Sequence, residues 1–75
     1  MKQVNWGIIG LGTIASKFAD AFQSSRNAKL LAIASKNKDR IKDFKEKFNI
    51  QNNYCFNNYE DLLNSKDIDV VYIAL

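Results

Sequence analysis

All three glycines of the chain crowd into one short stretch: Gly7, Gly10 and Gly12 of GIIGLGTIA. The residues before this turn, Val4 to Ile9, are mostly apolar and β-favouring, and read as a strand that ends at Gly10. The residues after it, Thr13 to Phe22, read as a helix. Ile14, Phe18 and Phe22 fall at i, i+4 and i+8, and Ala15, Ala19 and Ala21 widen that apolar face. A strand that passes through glycines directly into a helix has few choices of geometry. Gly10 turns the chain sharply, and the helix must then pack back on the sheet it has just left.

The rest of the chain repeats the alternation. Lys29 to Ala34, KLLAIA, is a second strand, and its unbroken apolar run suits a strand covered on both faces. Asp39 to Phe48 is a second helix, with Ile41, Phe44 and Phe48 at i, i+3 and i+7 and Asn49 as its stop. Tyr54 to Phe56 is a short third strand. Asn57 or Asn58 then caps a short helix, YEDLL, with Glu60 and Asp61 in its first turn, where the helix dipole favours acids. Ile68 to Leu75, IDVVYIAL, is a fourth strand. The order βαβαβαβ predicts an α/β fold with a doubly wound parallel sheet. Right-handed crossovers give the expected strand order 3-2-1-4. The sheet is expected to be truncated after the fourth strand, because a complete domain of this kind continues beyond it. Residues 1–75 therefore read as the N-terminal part of a longer protein.

Gly10, Gly12 and Ala15 fit G-x-G-x-x-[GA], between a strand and a helix and within a βαβ unit. Each position has a physical role in holding a dinucleotide. Gly10 makes the tight turn, Gly12 lacks a Cβ so that a pyrophosphate can approach, and Ala15 lets helix and sheet pack closely. The amides of Thr13 and Ile14 begin the helix, whose N-terminus favours an anion. The same residues can be read as a plain glycine-rich turn; the strand and helix around them favour the cofactor. Gly7, inside the strand, marks close packing.

The end of the second strand bears on which dinucleotide. An NAD site places a carboxylate there for the ribose hydroxyls. This chain has Ser35, Lys36, Asn37 and Lys38 instead, with Arg40 one turn into the helix. Ser35 can donate to a 2′-phosphate, and Lys36 can neutralise it, which favours NADP and leaves NAD possible. Lys36 and Lys38 also fit ordinary loop residues. Asp39 comes too late and reads as a helix-start residue.

With 75 residues the chain is one small unit, and a domain of that size buries only about 60% of its unfolded surface. Cys55 is the single cysteine and histidine is absent, so an internal disulfide is impossible and a His/Cys metal site is disfavoured. Cys55 reads as a small buried hydrophobe and Tyr72 as core, not as catalytic groups. The start lacks the layout of a secretory signal, and no stretch has the length of a membrane span, so the expected location is cytoplasmic. The net charge of +3 is concentrated between Lys36 and Lys47. Asp39, Asp43 and Glu46 interleave with those lysines, and Asp43 and Lys47 are spaced for an i,i+4 pair. This reads as a solvated helix face and argues against a nucleic-acid surface.

Three segments, WGIIGLGTIASKFADAF, AIASKNKDRIKDFKEKF and NNYEDLLNSKDIDVVYIAL, resemble in order the N-terminal domain of the glucose–fructose oxidoreductase / inositol dehydrogenase (Gfo/Idh/MocA) family. The resemblance covers nearly the whole chain. It is closest to the branch with dimeric dihydrodiol dehydrogenase and NADP-dependent xylose dehydrogenase. In that branch a Ser-Arg or Ala-Arg pair often follows the second strand, where this chain has Ser35-Lys36. Lysine keeps the charge of arginine but not its planar fork. The resemblance implies an NAD(P)-dependent oxidoreductase that moves hydride to or from sugars, polyols or diols. It also implies a second domain that binds the substrate and often forms the oligomer interface. The family's Glu-Lys-Pro motif lies beyond Leu75, so no catalytic residue is carried over, and the chain alone is expected to be inactive. A Rossmann-type module that senses nucleotide without catalysis is the alternative.

Overall fold

The computed structural model describes residues 3–74. Four parallel strands, β1 (Val4–Ile9), β2 (Ala28–Ala34), β3 (Cys55–Phe56) and β4 (Val70–Ile73), form one sheet in the order β3-β2-β1-β4. Three α-helices connect them: α1 (Thr13–Asp20), α2 (Lys38–Phe48) and α3 (Tyr59–Leu63). The expected order of elements and of strands is therefore the observed one. Leu75, included in the expected fourth strand, lies outside the described residues.

The helices cover both faces of the sheet. On one face Ile8 and Ile33 meet Ala15 and Ala19 of α1 and Phe44 of α2. On the other, Ile9, Ala32 and Ala34 meet Leu62 of α3. Ile8 and Ile9 of β1 thus point to opposite cores, which is why the end of the strand is apolar at successive positions. Trp6, Phe18 and Phe22 form an edge-to-face group, with ring centroids 5.3 to 5.7 Å apart. Tyr72 stacks on Phe18 at 4.0 Å, so its place is in packing, as expected.

Several details differ from the sequence reading. Helix α1 ends at Asp20, and a 3-10 turn, Ala21–Ser24, carries Phe22. Ile14, expected on the buried face, is 68% exposed. The contact line of α1 is Ala15 and Ala19, both fully buried. Ile14 lies about 100° round the helix from Ala15. Small residues set the rotation because they let the helix come close to the sheet. Cys55 is half-buried rather than buried, and its Sγ lies 3.5 Å from the Gln51 carbonyl oxygen. Burial raises its thiol pKa, with Lys45 pulling the other way. The Asp43–Lys47 pairing gives way to a bond between helices: Lys47 Nζ donates to Ser16 Oγ of α1 at 3.0 Å.

The β1–β2 register contains an irregularity that no pattern announced. Trp6 pairs with Leu30 and Gly7 with Ala32, so Leu31 is skipped. The skip changes the phase of β2: Leu30 packs with the α1/α2 core and Ala32 with the α3 core. A residue inserted in one strand has this effect on alternation.

Candidate functional site

Beyond the carboxyl ends of β1 and β2 the backbone ladder continues into the loops. Gly10 N donates to Ala34 O at 3.0 Å, Ala74 N to Ile9 O at 2.8 Å, and Ser35 N to Phe56 O at 3.2 Å. These bonds fix the loops after all four strands around one open depression of about 400 Å³. Gly10, Gly12, Ser35, Lys36 and Arg40, which the sequence nominated separately, all line it. Leu11, Asn37, Tyr59 and Ala74 complete the lining and were not nominated. Asn37 carried a signal, a helix cap just before Asp39 and Arg40; nothing in the sequence marked Tyr59.

The glycines of the turn differ in what they require. Gly10 has φ 88°, a conformation that L side chains rarely adopt. Gly12 has φ −89° and ψ −167°, open to any residue. A Cβ at Gly12 would meet only Arg40 Nη1, at an ordinary 3.6 Å. The fold therefore leaves space at Gly12 that a side chain could fill.

Helix starts sharpen the contrast. Asn37 caps α2, its side chain accepting from Asp39 N at 3.0 Å and Arg40 N at 3.2 Å. Asn58 caps α3, accepting from Asp61 N at 2.9 Å. Helix α1 begins at Gly12 with no side-chain cap and no acidic residue in its first turn. The first amides of a helix have no partner within it, so those of Thr13 and Ile14 are left for an acceptor from outside. Thr13 lines a smaller hollow that adjoins the depression through Leu11, Gly12 and Arg40. Ile14 and Ala15 line neither: Ile14 faces outward and Ala15 lies in the core.

The loop after β2 is built by its own side chains. Ser35 is buried, and its Oγ accepts from Asn37 N at 3.1 Å, which leaves the hydroxyl proton free to donate. The Lys36 ammonium sits 5.5 Å from the centre of the Tyr59 ring. Arg40 reaches back over the glycine turn, Nη1 donating to Leu11 O at 3.5 Å. The depression thus carries the Lys36 ammonium and the Ser35 hydroxyl beside the end of β2, and at the glycine turn an uncapped helix start with the Arg40 guanidinium next to it. Together they make a surface for an extended anion.

The sequence profile described as the oxidoreductase family with an NAD-binding Rossmann fold, Gfo/Idh/MocA, matches residues 4–75. An oxidoreductase of Formosa agariphila is 37% identical over 74 residues, which are 97% of this chain and 22% of that protein. Trans-1,2-dihydrobenzene-1,2-diol dehydrogenase of Mus musculus is 34% identical over 95% of this chain and 21% of its own length. Among solved structures, KijD10, a 3-ketoreductase from Actinomadura kijaniata in complex with TDP-benzene and NADP, superposes with TM-score 0.87 and 32% identity. That match covers 99% of this chain and 23% of the reductase. Scyllo-inositol dehydrogenase from Lactobacillus casei, with NAD(H) and scyllo-inositol bound, gives TM-score 0.86 at 27% identity, over 99% of this chain and 22% of the other. This chain therefore spans about a fifth of the length of the proteins it matches and belongs to the Gfo/Idh/MocA oxidoreductase family, as its NAD(P)-binding Rossmann fold.

Proposed function

We propose that the chain is the dinucleotide-binding part of an NADP-preferring oxidoreductase that acts on a hydroxyl or carbonyl carbon of a sugar, polyol or diol. The observation that carries this reading is the start of α1: the one α-helix without a side-chain cap among the described residues opens, at Gly12, on the depression. The donor set fits an NADP molecule. Gly10 turns the chain, Gly12 leaves room for the pyrophosphate, and the Thr13 and Ile14 amides donate to it. Ala15 contributes by keeping α1 close to β1. Ser35 donates its proton to a 2′-phosphate, while Lys36 and Arg40 supply opposing charge. When bound, a nicotinamide dinucleotide supplies hydride transfer to or from the substrate carbon.

The preference for NADP over NAD rests on Ser35, Lys36 and Arg40 and on the lack of a carboxylate at the end of β2. The similar solved structures include complexes with NADP and one with NAD(H); on this reading the loop from Ser35 to Arg40 carries the choice. The substrate class follows the relatives' chemistry and is held by parts of the protein outside this chain, which is also where catalytic residues and any oligomer interface are expected. Cys55 as a single cysteine is consistent with a cytoplasmic setting.

Calorimetric titration of the full-length protein with NADPH and NADH tests the reading. NADPH is expected to bind tighter by at least about tenfold, roughly 1.4 kcal/mol. Ser35→Asp should reverse the order, since the carboxylate repels a phosphate and accepts from a ribose hydroxyl. Tighter NADH binding by the unmodified protein would overturn the cofactor assignment.

A further inference from the structure

We infer that Tyr59 is a positioning residue for cofactor choice: its ring holds the Lys36 ammonium at the rim of the depression, ready for a ribose 2′-phosphate. The inference rests on the NADP reading above and adds a residue that neither the glycine motif nor the loop sequence indicates.

Lys36 is exposed, on a loop, with a long stem of rotatable bonds. Such a side chain is a mobile point charge, and ordering it on a ligand costs rotamer freedom. An arginine at the same place would bring a planar fork that is already preorganised. Here the ordering comes from outside the side chain. The Lys36 Nζ lies 5.5 Å from the Tyr59 ring centre, within the range of about 6 Å over which a cation is drawn to an aromatic face. Tyr59 itself is well fixed. It opens α3 directly after the cap Asn58, is half-buried, and packs against the core of Ile9, Ala32, Ala34 and Leu62. Both Lys36 and Tyr59 line the depression, alongside Ser35 and Arg40. The sheet thus brings together a charge from the loop after β2 and a ring from the helix after β3.

A second role for an aromatic ring at this place is a stacking surface for the adenine. The two roles differ in what they discriminate. An adenine platform serves NADH and NADPH alike, because both carry adenine. A ring that orders Lys36 serves only the dinucleotide with a 2′-phosphate.

The test is a titration of the full-length protein and its Tyr59→Leu, Tyr59→Phe and Lys36→Met variants with NADPH and with NADH. Tyr59→Leu is expected to weaken NADPH about threefold, the order of a single exposed cation–π contact, and to leave NADH unchanged. Tyr59→Phe keeps the aromatic face and should retain wild-type affinity for both. In a Lys36→Met background, Tyr59→Leu should add nothing. A readout without cofactor accompanies these: after reductive ¹³C-methylation, the Lys36 methyl resonance should show a ring-current shift that Tyr59→Leu abolishes and Tyr59→Phe preserves. Equal losses for the two dinucleotides, an unchanged NADPH affinity in Tyr59→Leu, or the absence of the ring-current shift would each overturn the inference. If the unmodified protein binds NADH as tightly as NADPH, the NADP reading fails and takes this inference with it, a result separable from the others because it appears before any substitution.

Discussion

Gly7 and Gly12 lie on the same stretch of chain and look alike in the sequence, but they face opposite demands. Around Gly7 the protein leaves no room. A Cβ there would stand 2.9 Å from Leu62 Cδ2 and 3.3 Å from its Cδ1, with Ile68 Cγ2 at 3.4 Å. Leu62 is fully buried, so it cannot swing into solvent to make way. Around Gly12 the protein leaves room it does not use, the nearest atom being the mobile end of Arg40. One glycine is required by the fold and the other is not. A residue type with a cost in chain entropy, kept where the fold does not need it, points to a ligand.

The largest expected effect falls on the fold. Gly7→Val forces branched methyls against Leu62 and Ile68 in a core without slack. Overpacking of this kind costs about 1–3 kcal/mol, and the 2.9 Å contact puts this site at the upper end. Urea unfolding should show the loss. Leu62→Ala in the same chain should recover part of it, because that substitution vacates the space the new side chain needs. Additive losses would mean that the contact with Leu62 is not what restricts Gly7.

Gly12→Val separates the second glycine from the first. Its effect is expected on binding: dinucleotide affinity should fall at least about tenfold, roughly 1.4 kcal/mol. Unfolding in the absence of cofactor should change by less than in Gly7→Val, because the half-buried Gly12 has space for a side chain and the loss is confined to the poorer N-cap that valine makes. A variant that unfolds as easily as Gly7→Val would erase the distinction between the two positions.

This contrast also marks what could be learned from the sequence. The glycine spacing, the alternation of strand and helix, and the apolar runs were enough for the strand order, because few right-handed topologies fit them. Gly10, Gly12, Ser35, Lys36 and Arg40 were legible because each sits at a fixed place relative to a strand end. Leu31 shows where legibility stops. β2 is apolar on both faces, so a shift in its phase leaves no mark in the pattern of residue types. Ile14 shows the same limit in α1: an apolar stripe at helical spacing was available, but the alanines beside it decided which side approached the sheet. Tyr59 joins the depression only through folding, since its distance from Lys36 depends on the β2–β3 pairing.

Asn37 stands between the two classes. It caps α2 and also lines the depression. Asn37→Ala removes the acceptor for Asp39 N and Arg40 N, a loss of about 1 kcal/mol in stability. Because Ser35 Oγ and Arg40 are both tied to this residue's neighbourhood, NADPH affinity should fall too, with NADH less affected. Stability lost without any change in the NADPH to NADH ratio would make Asn37 a part of the fold alone.

The smallest effect is the most pointed, because its sign is opposite for fold and function. Gly12 is the N-cap of α1, and its φ of −89° and ψ of −167° are extended, as an N-cap requires. Serine adopts that conformation without strain. In Gly12→Ser the new Cβ finds Arg40 Nη1 at 3.6 Å, an ordinary contact. The hydroxyl can accept from an amide of the first turn, and a capping side chain improves on glycine by a few tenths of a kcal/mol. Replacing glycine also restricts the unfolded chain, which stabilises by about 0.4–1 kcal/mol where the native backbone is compatible. The cofactor-free protein should therefore become more stable by about 0.5–1 kcal/mol. Dinucleotide affinity should fall in the same variant, since the hydroxyl takes an amide and the side chain takes the space that an anion would use. Thermal unfolding with and without NADPH reads both effects in one experiment: the curves of the unmodified protein should separate widely, and those of the variant should start higher and separate less. A variant that gains stability and keeps full affinity would show that the uncapped start of α1 is not reserved for a ligand.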